Sequence, residues 1–169
     1  RRGFAPAMAS PLLMTAAASA PSLFYPQIAE QLGLVPVATT LVFAVYTFTL
    51  LAALLYLGPL SDHIGRTPVV TAGSLALALS LAMFWFADSL ATLLVARALQ
   101  GLAAGLLIPA LSAMMIDFEP PSHPNIAALW NTIGPMIGLG TGALGAALLL
   151  DLTPEPTAAV FGPLVLAFL

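Results

Sequence analysis

Gly58-Pro59-Leu60-Ser61-Asp62-His63-Ile64-Gly65-Arg66-Thr67 is a short polar turn set between two apolar runs, 37–57 and 68–87. Each run has the ~20 residues that a helix needs to cross bilayer hydrocarbon, where an unsatisfied backbone group costs several kcal/mol. The rest of the chain repeats this arrangement. Further apolar runs lie near 4–24, 90–115, 126–150 and 157–169. The breaks between them carry turn residues or charge: 25–36 with Glu30 and Gly33, 87–89 with Asp88, 117–124 with its prolines, and 151–156 with Asp151 and Glu155. Leu, Ala and Gly dominate, and the alternation over about ten residues that marks an outer-membrane barrel strand is absent. The pattern predicts an all-α, polytopic transmembrane helical bundle with five complete spans and a shortened sixth.

Composition narrows the function. The chain is 60% hydrophobic and 7% charged, whereas a soluble domain carries about a quarter charged residues. Lysine is absent, and the four arginines form no cationic stripe that would neutralise phosphates, which excludes a nucleic-acid partner. There is no cysteine, and His63 and His123 stand 60 positions apart without a local ligand partner, so neither a metal nor a cofactor is expected. No interfacial catalytic cluster is visible, so the chain does not read as an enzyme. The partners that remain are the lipid bilayer and a small-molecule substrate.

Orientation follows from arginine, since cytoplasmic loops collect Lys and Arg. Arg1 and Arg2 precede the first span and Arg66 follows the second, while the breaks after spans one, three and five hold only acids. This puts the N-terminus, the 58–67 turn and the 116–125 loop in the cytoplasm of a cell-membrane protein. Arg1-Arg2-Gly3-Phe4 with Ala18-Ser19-Ala20 also fits a twin-arginine leader; the five hydrophobic segments that follow favour a first membrane span instead. The run 157–169 rises about 20 Å at ~1.5 Å per residue, short of the ~30 Å core. The chain therefore reads as part of a longer polypeptide.

The 58–67 turn resembles the loop between the second and third helices of the major facilitator superfamily of secondary transporters, G-x-L-x-D-R-x-G-R-R. Gly58, Leu60, Asp62, Gly65 and Arg66 match in type and spacing, while His63 and Thr67 depart from it. Gly58 suits a close approach of helix ends, and Gly65 a chain reversal. Arg97-Ala98-Leu99-Gln100-Gly101 resembles a second signature of that family, R-x-x-Q-G, on the fourth helix. Arg97 is the one charge that the span assignment sets within the hydrocarbon. It costs at least ~2.5 kcal/mol there unless it faces the bundle interior or a wet cavity. Gln100 lies three residues on and shares its face. The family role suggests proton traffic or contact with substrate charge; a structural arginine satisfied by helix carbonyls fits equally well.

The resemblance implies that residues 1–169 form the N-terminal six-helix half of a transporter, completed by a C-terminal six-helix half. It implies transport of a small molecule by alternating access, such as drug efflux. It further implies that Arg66 bridges to Asp117 while Asp62 caps a helix of the other half, stabilising one gate state. Helices one, two, four and five line the central cavity in that fold, so Thr15, Tyr46 and Asn131 become candidates for substrate contact. If a proton is the coupling ion, it titrates Asp62, Asp117, the substrate or a residue outside this chain; uniport also fits. Glu119 is read as solvated.

The fifth span holds Gly134, Pro135, Gly138, Gly142 and Gly145, a small-residue stripe suited to close helix packing, and Gly101 with Gly105 repeats the spacing on the fourth. The antiporter signature G-x-x-x-G-P-x-x-G-G is degenerate here in either register. A second function class stays open on these glycines: a structural membrane protein that transports nothing and oligomerises through them.

Overall fold

The structure, a computed structural model, describes residues 4–169, with side chains from Met8 onward. Arg1 and Arg2, which carry part of the orientation argument, lie outside the described residues. The elements are α1 (Phe4–Ser19), a 3-10 segment (Ala20–Phe24), α2 (Tyr25–Gln31), α3 (Pro36–Leu57), α4 (Leu60–Ile64), α5 (Arg66–Trp85), α6 (Leu90–Asp117), α7 (Ile126–Leu152) and α8 (Pro156–Ala167). Four of these, α3, α5, α6 and α7, are each long and apolar enough to cross a membrane. The expected spans from the second onward match these helices to within two residues at each end.

The first span departs from expectation. Pro21 has no N–H, so the α-helical bond to the Ala17 carbonyl is lost and the chain tightens into the 3-10 segment. Tyr25–Gln31, expected within a loop, then resumes as α2, with Pro26 in its first turn, where a missing N–H costs nothing. Leu32 N closes α2 on Ile28 O at 3.0 Å, and Gly33 at φ +61° makes the exit.

The bundle is organised about α6. Of an 18-residue stretch of α6, 56% is buried, against 11% for α3 and 17% for α7. It packs against α3 on one side and α5 on the other, while α1 packs against α7 and α8 closes against α5 and α7. Small residues permit these approaches. A Cβ at Gly101 would stand 2.5 Å from the Tyr46 carbonyl oxygen, and one at Gly105 would overlap Ala53, so both glycines seat α6 on α3. Gly138 and Gly142 seat α7 on α1, where an added Cβ would lie 2.5 Å from Leu12 O and from Ala16 O respectively. The expected α7 stripe is shorter than its spacing suggested. Gly145 meets nothing within 4 Å, and Gly134 touches only Trp130 of its own helix.

The densest part of the core is aromatic. Phe24 and Phe161 lie 5.2 Å apart, and Phe84 stacks on Phe161 at 6.3 Å, so the 3-10 segment, α5 and α8 meet at one cluster. Ser80, fully buried on α5, donates to Ala96 O of α6 at 2.8 Å, satisfying the one polar atom its burial creates. The outer faces of α3 and α7 stay apolar and uncovered, with Phe48, Leu55, Met136 and Leu144 exposed.

Candidate functional site

The 58–67 turn is built by its glycines. Gly58 N closes α3 on Leu54 O at 3.2 Å, and a Cβ at Gly58 would overlap that same carbonyl, so the glycine accommodates its own helix end. Pro59 and Gly65 bracket the single turn of α4, and Gly65 sits at φ +92°, a conformation that side chains strain. This places Arg66 at the head of α5, where Nη1 lies 2.5 Å from Asp117 Oδ2 at the foot of α6. The contact is a charge pair without hydrogen-bond alignment at Nη1. Asp62 is exposed, and among the described residues its carboxylate has no partner. His63 Nδ1 stands 3.0 Å from Pro59 O, which folds the ring back on its own turn. Leu60 opens α4 half-buried.

Glu119 is not solvated as expected. Its Oε1 accepts from Ala127 N at 3.0 Å and so caps the N-terminus of α7. Asn125, the residue before that helix, holds φ +68° and makes no side-chain cap of its own. The carboxylate instead supplies the acceptor that a first-turn amide needs.

Deeper in the membrane, Arg97 is 3% exposed. Its Nε donates to the Tyr25 hydroxyl and its Nη1 to Gln100 Oε1. Four rings surround the guanidinium, with Cζ 4.8 Å from the centroid of Tyr25, 5.2 Å from Phe84, 5.5 Å from Phe43 and 5.4 Å from Tyr46. A guanidinium over aromatic faces gains roughly 2 kcal/mol or more per contact when desolvated. Gln100, fully buried, turns its Nε2 to Ala17 O at 3.2 Å, which is the carbonyl that Pro21 left without its helical donor. Arg97 and Gln100 thus tie α6 to the break in the first span. Tyr46 belongs to this cluster and not to the cavity described next.

A cavity of about 270 Å³ lies between α1, α6 and α7, toward the cytoplasmic end by the charge-based orientation. Thr15 and Asn131 share it with Ser112, Pro11, Met14, Ile108, Leu111 and Pro135. Thr15 Oγ1 donates to Pro11 O at 2.8 Å, and Asn131 Nδ2 reaches Ser112 O at 3.4 Å. Pro135 has no N–H for the Asn131 carbonyl, and Pro11 likewise removes a helical bond from α1, so both helices lose a backbone hydrogen bond beside the cavity. Beside it, Trp130 Nε1 donates to Met8 O at 2.8 Å and fixes the entry of α1 against α7. A second cavity, about 300 Å³ between α1, α7 and α8, is walled by small and apolar residues including Gly142 and Gly145. Its one hydroxyl, that of Thr141, is spent on Ile137 O at 2.8 Å. That wall offers a ligand only packing.

The aromatic partners of Arg97 were not legible in the sequence. Tyr25 opened a segment read as a loop, and Phe43 and Phe84 were two phenylalanines among many in apolar helices. Ser112 carried a weak signal, being a hydroxyl in the C-terminal half of the same helix as Arg97.

The sequence model of the Major Facilitator Superfamily matches residues 7–169. The chain is 30% identical over 145 residues to the multidrug resistance protein MdtL of Shewanella sp. (strain ANA-3), covering 83% of this chain and 36% of that protein. It is 34% identical over 101 residues to the major facilitator superfamily multidrug transporter mfsB of Aspergillus fumigatus, covering 55% of this chain and 17% of the relative. Over 45 residues it is 51% identical to the multidrug resistance protein MdtM of Escherichia coli K12, covering 27% of this chain and 11% of that one. The chain thus spans little more than a third of the length of this MdtL relative, and less of the other two.

Proposed function

This chain belongs to the major facilitator superfamily, a family of membrane transporters and not of enzymes, and from that premise we propose that it forms the N-terminal six-helix half of a carrier that moves a small lipophilic solute across the cell membrane by alternating access. The observation that carries this reading is the juxtaposition of Thr15, Ser112 and Asn131 about one otherwise apolar cavity inside a membrane-spanning bundle. Polar groups are costly in hydrocarbon and cluster where a ligand or water meets them. The multidrug function named for the relatives is consistent with efflux of such a solute. The proton is our choice of coupling ion, carried through Asp62 or Asp117, by the substrate, or by a residue outside this chain.

In this reading the Arg66–Asp117 pair and the free Asp62 form the cytoplasmic latch. Asp62 engages the C-terminal half in the outward-facing state and releases it when access alternates. The N-terminus and the 58–67 turn lie in the cytoplasm. Arg97 and Gln100 hold the outer part of the first span closed over the cavity.

The test uses the full-length protein, purified and reconstituted into proteoliposomes, with counterflow exchange of labelled lipophilic solutes as the readout. Exchange that is saturable and lost in Arg97→Leu supports transport. A folded protein that exchanges nothing across a broad solute panel overturns it. An antibody against residues 117–125 tests the missing half, because the native band should run several tens of kDa above the 17.4 kDa of this chain.

A further inference from the structure

The cavity between α1, α6 and α7 carries hydrogen-bonding groups but no charge. Thr15 commits its hydroxyl hydrogen to Pro11 O at 2.8 Å, so only lone pairs of Oγ1 remain. Asn131 turns one Nδ2 hydrogen to Ser112 O at 3.4 Å, which leaves Oδ1 as an acceptor beside the second Nδ2 hydrogen and the Ser112 hydroxyl. The main-chain carbonyl of Asn131 adds another, because Pro135 one turn on has no N–H to give it. Asn131 and Pro135 both line the cavity, so the side-chain oxygen and the carbonyl that Pro135 cannot reach belong to the stretch of α7 that walls it. Around them stand Met14, Ile108 and Leu111, and no ionisable side chain is among the lining residues.

Those facts limit the ligand. An organic cation moved from water to this wall would lose its hydration without meeting a carboxylate, and an anion would lose its own without meeting a cationic side chain. A neutral molecule with an N–H or O–H group keeps its hydrogen bond and buries its apolar remainder. We propose that the cavity selects uncharged lipophilic solutes that carry a hydrogen-bond donor, and that Asn131, through its carbonyl freed by Pro135 and its Oδ1, receives that donor. The proposal rests on the transport reading above and names the substrate class for the same site.

Matched solutes test it in the reconstituted full-length protein. An aryl secondary carboxamide and its N-methylated counterpart differ by one donor and remain uncharged at any working pH, so proton coupling does not confound the comparison. Counterflow of the secondary amide should saturate at a concentration roughly three- to ten-fold lower than that of its N-methyl partner, the range expected for one hydrogen bond. A quaternary ammonium of similar size should exchange worst. Pro135→Ala returns an N–H to the Asn131 carbonyl and completes the helix, and Asn131→Leu removes Oδ1; each should shrink the ratio within the amide pair. Equal handling of the pair by the wild-type protein, or preference for the quaternary ammonium, overturns the donor rule and leaves the transport reading in place. Exchange of no member of the panel overturns both.

Discussion

Gln100 Nε2 donates across the helix boundary to the Ala17 carbonyl, an acceptor that the sequence itself orphaned by placing proline at position 21. The same side chain accepts from Arg97 through Oε1, so one buried amide satisfies both a broken helix and a buried charge. Gln100→Leu leaves an Arg97 N–H and the Ala17 carbonyl unpaired together. Thermal or chemical unfolding of the purified full-length protein in detergent should show a loss of about 2–4 kcal/mol, from two buried unsatisfied groups. A change within 0.5 kcal/mol, roughly the noise for a surface site, would remove Gln100 from this role.

Tyr25→Phe keeps the ring against Arg97 and deletes only the oxygen that Nε donates to. A hydrogen bond from a charged donor should cost about 1.5–3 kcal/mol when lost. Arg97→Leu removes the charge with its desolvation cost but leaves Gln100 Oε1 and the Tyr25 hydroxyl without their donor. The two effects oppose each other in stability, so counterflow, which should be abolished, is the decisive readout. Retained exchange in Arg97→Leu would make Arg97 a purely structural residue and take it out of the transport machinery.

Gly138 and Gly145 separate packing from spacing. Gly138→Val drives a branched side chain into Thr15 and Leu12 of α1 and should destabilise by about 1–3 kcal/mol or prevent folding. Gly145→Ala meets open space and should leave the melting temperature unchanged or slightly higher, since alanine favours the helix by up to ~1 kcal/mol. Equal effects at the two positions would contradict the α1–α7 contact.

Arg66 and Asp117 are 29% and 52% exposed, so screening keeps their pairing weak as a stability element. A double-mutant cycle with Arg66→Ala and Asp117→Ala should give a coupling energy below about 1 kcal/mol, smaller still in high salt. Transport is the sensitive readout. Arg66→Ala and Asp62→Asn should each impair exchange with expression intact, and normal exchange in both would retire the latch.

Glu119→Ala strips the α7 N-terminus of its acceptor at Ala127 N. The loss should be about 1 kcal/mol, as for other N-terminal caps, and Glu119→Gln should recover part of it because Oε1 remains.

Much of the fold was legible because lipid imposes a simple rule on sequence. Hydrocarbon demands closed backbone hydrogen bonding over a fixed thickness, so apolar length alone located α3, α5, α6 and α7. The glycines at 58 and 65 and the arginine after them marked a tight turn for the same local reason. Arg97 and Gln100 were legible as a pair because three residues on a helix share a face. What failed were judgements that needed a neighbour. Glu119 read as solvated because nothing near it in sequence asks for an acceptor, whereas the amide it caps lies eight residues on. Gly145 fitted the small-residue spacing as well as Gly138 did, yet only Gly138 and Gly142 face α1.

The sequence by itself determined the class and the spans from the second onward, through composition and apolar length. Its motifs at 58–67 and 97–101 carried the resemblance to the family, since each of these signals acts within a few residues. Only the tertiary structure decided that Tyr25, Phe43, Tyr46 and Phe84 close around Arg97 and that Gln100 repairs the break at Pro21. It alone brought Thr15, Ser112 and Asn131 to one cavity. These partners lie on different helices, tens of residues apart in the chain, and they meet because helix packing brings apolar faces and small residues together without any pattern that one segment carries alone.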